Sequence, residues 1–176
     1  MFQDFQSANQ SSSIIQAKLE AARQLAGQMG LIGIINVKKI NAFGEIVQET
    51  WGYNKVNDHG DNYWADVMSG TALRNGTFIA IGSGTNGGSK ATFQLEFEVA
   101  RGAVTGTAPW VSSGANDNDV NFQRTFTGLT ANGVAEVGIF RAAAAGSCIE
   151  RGTFTGVNLT SSDSLQVTVT ITNLGV

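Results

Sequence analysis

From Leu31 onward, apolar and polar residues alternate in short runs separated by Gly, Asn and Ser, with no helical stretch between most of them. Phe93, Leu95, Phe97 and Val99 alternate with Thr92, Gln94, Glu96 and Glu98, and Leu165, Val167, Val169 and Ile171 alternate with Gln166, Thr168, Thr170 and Thr172. A period of two sends successive side chains to opposite faces of a strand, so one face is core and the other is wet. Similar runs hold Ile35 and Val37; Val47, Trp51 and Tyr53; residues 78–82 after the Asn75-Gly76 turn; Val120, Phe122 and Phe126; Val134 to Phe140; and Ser147 to Leu159, with a bend expected at Gly152 or Gly156. Asn41-Ala-Phe-Gly44 reads as a hairpin turn. The pattern predicts about eight strands. A parallel sheet would need a helix between successive strands, so the expected fold is mainly β: an antiparallel β-sandwich, jelly-roll-like, over residues 31–176.

Two segments carry a helical signal. Residues 57–62, Asn-Asp-His-Gly-Asp-Asn, can start a short helix bearing Tyr63, Trp64, Val67 and Met68, ended by Ser69-Gly70 and placed to plug one end of the domain. Ahead of the first strand, Ser11 to Gly30 forms an N-terminal helical arm over residues 1–30, with Ser13 and Gln16 as a capping pair and Gly30 as the stop. Along it Ile15, Leu19, Ala22, Ala26 and Met29 recur at spacings of four and three, a narrow heptad seam. A helix this short is marginal alone in water, so the seam needs a partner: its own domain, a neighbouring subunit or symmetry mates.

Charged residues make up only 14% of the chain, Gly fills 22 positions and Pro one. Solubility therefore rests on Thr, Ser and Asn, and the weak long-range repulsion suits close packing of many copies. With 14 acidic against 11 basic residues and no basic stripe, a nucleic-acid partner is not expected. Nor is a membrane one: the first residues lack a basic and apolar leader, and Leu31 to Ile35 is too short to span a bilayer.

Candidate chemistry is sparse. His59 is the only histidine and Cys148 the only cysteine, so a His metal cluster, a disulfide within the chain and a Cys-His pair near position 148 are not expected. A small hydrolase built on Asp58-His-Gly-Asp61 would need an unmarked Ser or Thr as nucleophile. The Gly82-to-Gly88 run is followed by a strand pattern instead of a helix N-terminus, which argues against a phosphate cradle. Asn116-Asp-Asn-Asp119 offers oxygen ligands without the distal glutamate of an EF-hand. Glu96 and Glu98 are expected on one strand face, about 7 Å apart by strand rise, which reads as a solvent face. Trp51, Tyr53, Tyr63, Trp64 and Trp110 leave a carbohydrate-binding module as an alternative. No catalytic residue, cofactor or metal site is expected.

Several pieces, in order, carry a resemblance. Phe43-Gly-Glu-Ile-Val-Gln-Glu, Tyr53-Asn-Lys-Val and Trp64-Ala-Asp-Val-Met are followed by Phe78-Ile-Ala-Ile-Gly-Ser-Gly-Thr and Leu95-Glu-Phe-Glu-Val-Ala-Arg. Ala135-Glu-Val-Gly-Ile-Phe, Arg151-Gly-Thr-Phe and Asp163-Ser-Leu-Gln-Val-Thr-Val-Thr-Ile complete the series. Together, over Val37 to Thr172, they resemble β-sandwich structural proteins of tailed bacteriophage particles. The resemblance implies a non-enzymatic virion subunit assembled in the host cytoplasm, either a capsid decoration (cement) protein or a tail- or fibre-associated protein. Its partners would be the major capsid protein or tail components, and it would be a homo-oligomer, a trimer for preference. The arm is not covered by the likeness.

Overall fold

Among the described residues the alternating runs fold into nine strands: β1 (Leu31–Ile40), β2 (Ile46–Val56), β3 (Phe78–Gly82), β4 (Glu98–Ala103), β5 (Val111–Ser112), β6 (Asp119–Thr127), β7 (Ala131–Phe140), β8 (Cys148–Leu159) and β9 (Ser164–Asn173). A single helix among the described residues, α1 (Asp58–Met68), lies between β2 and β3. The computed structural model describes residues 31–70, 77–87, 89, 91–105, 111–112 and 119–173. The arm with its seam of Ile15, Leu19, Ala22, Ala26 and Met29 lies outside the described residues, as do the Asn75-Gly76 turn, Trp110 and residues 116–118. No described helix is long and apolar enough to cross a membrane.

The mainly-β, antiparallel expectation holds: every pair of neighbouring strands is antiparallel. The layering differs from the expectation, because the strands form one hydrogen-bonded sheet, in the order β4-β3-β7-β8-β2-β1-β9-β6-β5, where two stacked sheets were anticipated. The sheet curls until its two sides meet and is nearly closed into a barrel. Just past β4, the Thr105 backbone N–H and hydroxyl donate to the Gln123 carbonyl of β6 at 2.7 and 3.0 Å. Beside them Arg124 Nη1 donates to the Ala103 carbonyl at 3.0 Å. Alternation alone states that one face is buried; it does not distinguish a face packed on a second sheet from one packed on its own far side.

The interior is filled by Ile35 and Val37 of β1, Ile79 and Ile81 of β3, Phe122 and Phe126 of β6, Val137 and Ile139 of β7, and Leu165, Val167, Val169 and Ile171 of β9. Helix α1 forms as anticipated. The Asn57 side chain caps it by accepting from the Gly60 N–H at 2.9 Å, Gly70 follows at φ +78°, and Tyr63, Trp64 and Val67 pack on the core.

The strand expected over Phe93 to Val99 forms only from Glu98 onward. Residues 83–87 and 91–97 run as a strap across the outer face of β3, β7 and β8, and the ladder of β4 begins only at Glu98. Of the four predicted core residues there, Leu95 is buried, against Ala80, Phe140 and Cys148, whereas Phe97 and Val99 are 63% and 39% exposed. The reason is local: the backbone N–H groups of Glu96 and Phe97, which would enter a ladder, bond instead to the Glu136 carboxylate. Under the strap β7 is buried on both faces, so its Val134-to-Phe140 run is continuously apolar apart from Glu136. Where a bend was expected at Gly152 or Gly156, the β7–β8 pairing shifts register between Ala131 and Val134, between Val134 and Glu136, and again between Ile139 and Phe140.

Candidate functional site

The hairpin joining β1 to β2 is held by one side chain. Asn41 Oδ1 accepts the backbone N–H groups of Phe43 and Glu45 at 2.9 and 3.0 Å, and its Nδ2 donates to Glu45 Oε2 at 2.9 Å. The Gly44 N–H returns to the Asn41 carbonyl at 3.0 Å, with Gly44 at φ +83°, a conformation costly for any other residue. This braced turn carries Phe43, 88% exposed, at its apex, with Ile46 and Val47 each more than half exposed beside it. Phe43, Ile46 and Val47 together make a small exposed apolar patch on a preformed turn, a feature that suits a contact anchor.

At the other end of the barrel lies an open recess of about 620 Å³. Along one stripe of α1 it is lined by His59, Asn62, Tyr63 and Asp66, and across from them by Arg141, Ala142, Ser147 and Ile149 around the β7–β8 connection. The Arg141 guanidinium sits 4.7 Å from the Tyr63 ring centroid, a cation–π distance, and the His59 ring meets Phe93 edge-on at 4.3 Å. The connection is anchored by Arg101, which donates to the carbonyls of Ala142 and Ala145 at 3.0 and 2.7 Å, pairs with Glu98 and covers the Phe140 ring.

The residues considered for chemistry end up dispersed. Cys148 is wholly buried beneath the strap, and burial pushes its thiol up to about 11, so it is held as the unreactive thiol. Glu96 and Glu98 do not share a strand: Glu96 precedes β4, and Glu98 is engaged by Arg101. Tyr63 and Trp64 serve the core, while Trp51 is half-buried and Tyr53 is 41% exposed on β2.

Three charged residues that the pattern did not single out lie deepest: Glu136, Arg151 and Glu150. Glu136 accepts from the N–H groups of Gly84, Glu96 and Phe97 and from Arg151. Burial works to raise its carboxyl, but the donors of Phe97, Glu96, Arg151 and Gly84 outweigh it and hold the group below the usual carboxylate range. Glu150, on the opposite face of β8, has the Asn54 amide as its hydrogen-bond donor, the Trp64 indole close by and no charged partner among the described residues, and burial pushes it up to about 8. Glu136 carries a sequence signal, an isolated charge inside the apolar run Val134 to Phe140, whereas Glu150 and Arg151 stand side by side after Cys148-Ile149 and carry none. Comparison with protein-family models, with curated proteins and with solved structures gives no match to this chain.

Proposed function

We propose that this chain is a non-enzymatic structural subunit of a tailed phage particle, most simply a capsid decoration or cement protein that steadies the head through subunit contacts. The observation that carries the reading is the braced hairpin that holds Phe43 in solvent at one end of the barrel. Rigid presentation lowers the entropy lost on docking, which favours repeated contact with a neighbour. The ordered phage-like series from Phe43 to Ile171 and a surface low in charge support the same reading. The proposal takes the nearly closed sheet as a flattened relative of the jelly-roll sandwich that the resemblance implies, with the major capsid protein as partner and a homotrimer as the preferred oligomer.

A tail- or fibre-associated subunit is the second reading within the class. Mass spectrometry of purified particles separates them: hundreds of copies per particle support decoration, a dozen or fewer support the tail, and none overturns both. A carbohydrate-binding module rests on Tyr53, exposed on β2 beside the half-buried Trp51. Strong glycan-array signals lost in Trp51→Ala would replace the structural reading with that one.

A further inference from the structure

We propose that copies of this chain associate head to tail, the Phe43 hairpin of one copy docking into the recess between α1 and the β7–β8 connection of the next. The inference deepens the structural-subunit reading by naming a second copy as the partner of the hairpin.

Strand register places the two surfaces. Ile40 pairs with Ile46 beside the hairpin, while at the far end of the same ladder Ile32 pairs with Lys55. From there β2 leads directly into α1, and Val56 pairs with Glu150 near the start of β8, so the 141–147 connection lies at the α1 end. Ten residues of β1 separate hairpin from recess, on the order of 30 Å at ordinary strand rise. A hairpin braced by Asn41 cannot fold back over that distance. Its apolar apex can therefore enter this recess only on another molecule.

The recess suits the hairpin in size and chemistry. At about 620 Å³ it lies within the range that admits a group larger than one aromatic ring. Ala142 supplies accessible apolar surface, with Tyr63 and Ile149 nearly buried behind it, and the exposed Arg141 stacked on Tyr63 offers a cation to the exposed Glu45, two residues beyond Phe43. Asp66 shares the recess, so the Glu45 carboxylate is accommodated only on the Arg141 side, which fixes the approach.

Two different surfaces make a heterologous contact, which propagates into a ring or an open chain and does not stop at a dimer. Phe43, Ile46 and Val47 offer on the order of 300 Å² of apolar surface, well below the roughly 800 Å² per partner of a standard interface. The contact is accordingly weak in dilute solution and strengthened wherever copies are held close, as on a particle surface.

Sedimentation velocity of the full chain from micromolar to millimolar concentration tests this, with Phe43→Ser, Arg141→Glu and the exchange Glu45→Arg with Arg141→Glu. Expected are species beyond a dimer for the native chain, about a thirtyfold weakening in Phe43→Ser, the loss typical of an aromatic anchor, and a weakening in Arg141→Glu that the double exchange reverses. Circular dichroism checks that each variant keeps its fold. A native chain that stays monomeric, or association indifferent to Phe43, overturns the proposal. The same Phe43→Ser protein is assayed for incorporation into particles: lost incorporation with a monomeric native chain removes the second-copy assignment and leaves the structural-subunit reading intact. Native self-association together with absence from particles removes that reading and leaves this one.

Discussion

Arg151 and Glu136 form an ion pair buried on the outer face of the barrel, Nη2 and Nε lying 2.7 and 3.1 Å from the same carboxylate oxygen, Oε2, on adjacent strands β8 and β7. The Glu136 side chain is fully buried and that of Arg151 only 5% exposed. A buried pair is weak evidence of net stability on its own. Here the carboxylate also takes three strap N–H groups, so it fastens the strap to the sheet and covers Leu95, Phe140 and Cys148.

Removing the carboxylate leaves a buried guanidinium and three strap amides unpaired. Glu136→Ala is expected to cost about 3–5 kcal/mol, read from urea unfolding, and to raise the reactivity of Cys148 toward a thiol reagent under native conditions. The pH sign follows from the lowered carboxyl: its contribution is present above the ordinary carboxylate pKa and is lost as pH falls through the depressed one. Unchanged Cys148 reactivity in Glu136→Ala would sink the fastening role.

Glu150 acts in the opposite sense. Its carboxyl is raised from an ordinary 4.5 to about 8 by burial, against the lowering effect of Asn54 and Trp64. The folded state therefore holds the proton while the unfolded chain releases it. The favourable term is complete below the ordinary value and declines as pH rises towards the folded value, a loss of up to several kcal/mol. Glu150→Gln keeps an acceptor for Asn54 and removes the titration, so it should be more stable than the native chain at pH 8 with a flatter stability profile. Equal slopes for both proteins across this range would refute it.

What could be read in the residues divides along a physical line. The Asn41–Gly44 turn and the Asn57-capped helix were legible because their hydrogen bonds close within a few residues. The strap was not: Phe93 to Val99 has a strand's period, and only the distant Glu136 decides that its amides leave the ladder. Closure of the sheet likewise depends on Thr105 finding Gln123 across the seam, a relation that no local period encodes. Burial of Glu136, Glu150 and Arg151 inverts the usual placement of charge, so pattern reading passed over the most heavily engaged carboxylate in the structure.

Helix α1 lies backbone to backbone on β8. A Cβ at Gly60 would overlap the Ile149 carbonyl oxygen and press on Val56. In an exposed helix Gly→Ala gains about 1 kcal/mol; here that gain is outweighed by overpacking, about 1–3 kcal/mol. Gly60→Ala should lower the unfolding midpoint, whereas Gly87→Ala, which meets nothing within 4 Å, should stay within about 0.5 kcal/mol of native. A stabilised Gly60→Ala protein would contradict this packing.

Asn57 separates capping from cross-linking. Its Oδ1 caps α1, while its Nδ2 donates to the Cys148 and Thr92 carbonyls at 2.7 and 3.1 Å, joining helix, β8 and strap. Asp at this position keeps the cap but turns a carboxylate toward both carbonyls. Asn57→Asp is therefore expected to be at least as destabilising at neutral pH as Asn57→Ala, about 1–3 kcal/mol. Near-native stability of Asn57→Asp would reduce the residue to an ordinary helix cap.

The seam of the barrel offers the most local test. Arg124 faces the same side of β6 as Phe122 and Phe126, and its guanidinium occupies the space that a Cβ on Gly102 would take, with Nη1 on the Ala103 carbonyl. Its Nε is buried without an acceptor among the described residues, so the bond it makes is offset by a donor it leaves unmet. Arg124→Met keeps much of the volume and removes both, and global stability should change by no more than about 1 kcal/mol. The nearby bond from the Thr105 N–H to Gln123 loses its brace, however, and its hydrogen-exchange protection should fall about tenfold while amides between β1 and β9 keep theirs. Exchange that accelerates equally in both places would mean that the seam is no weaker than the rest of the sheet, and that Arg124 fills space without holding the barrel shut.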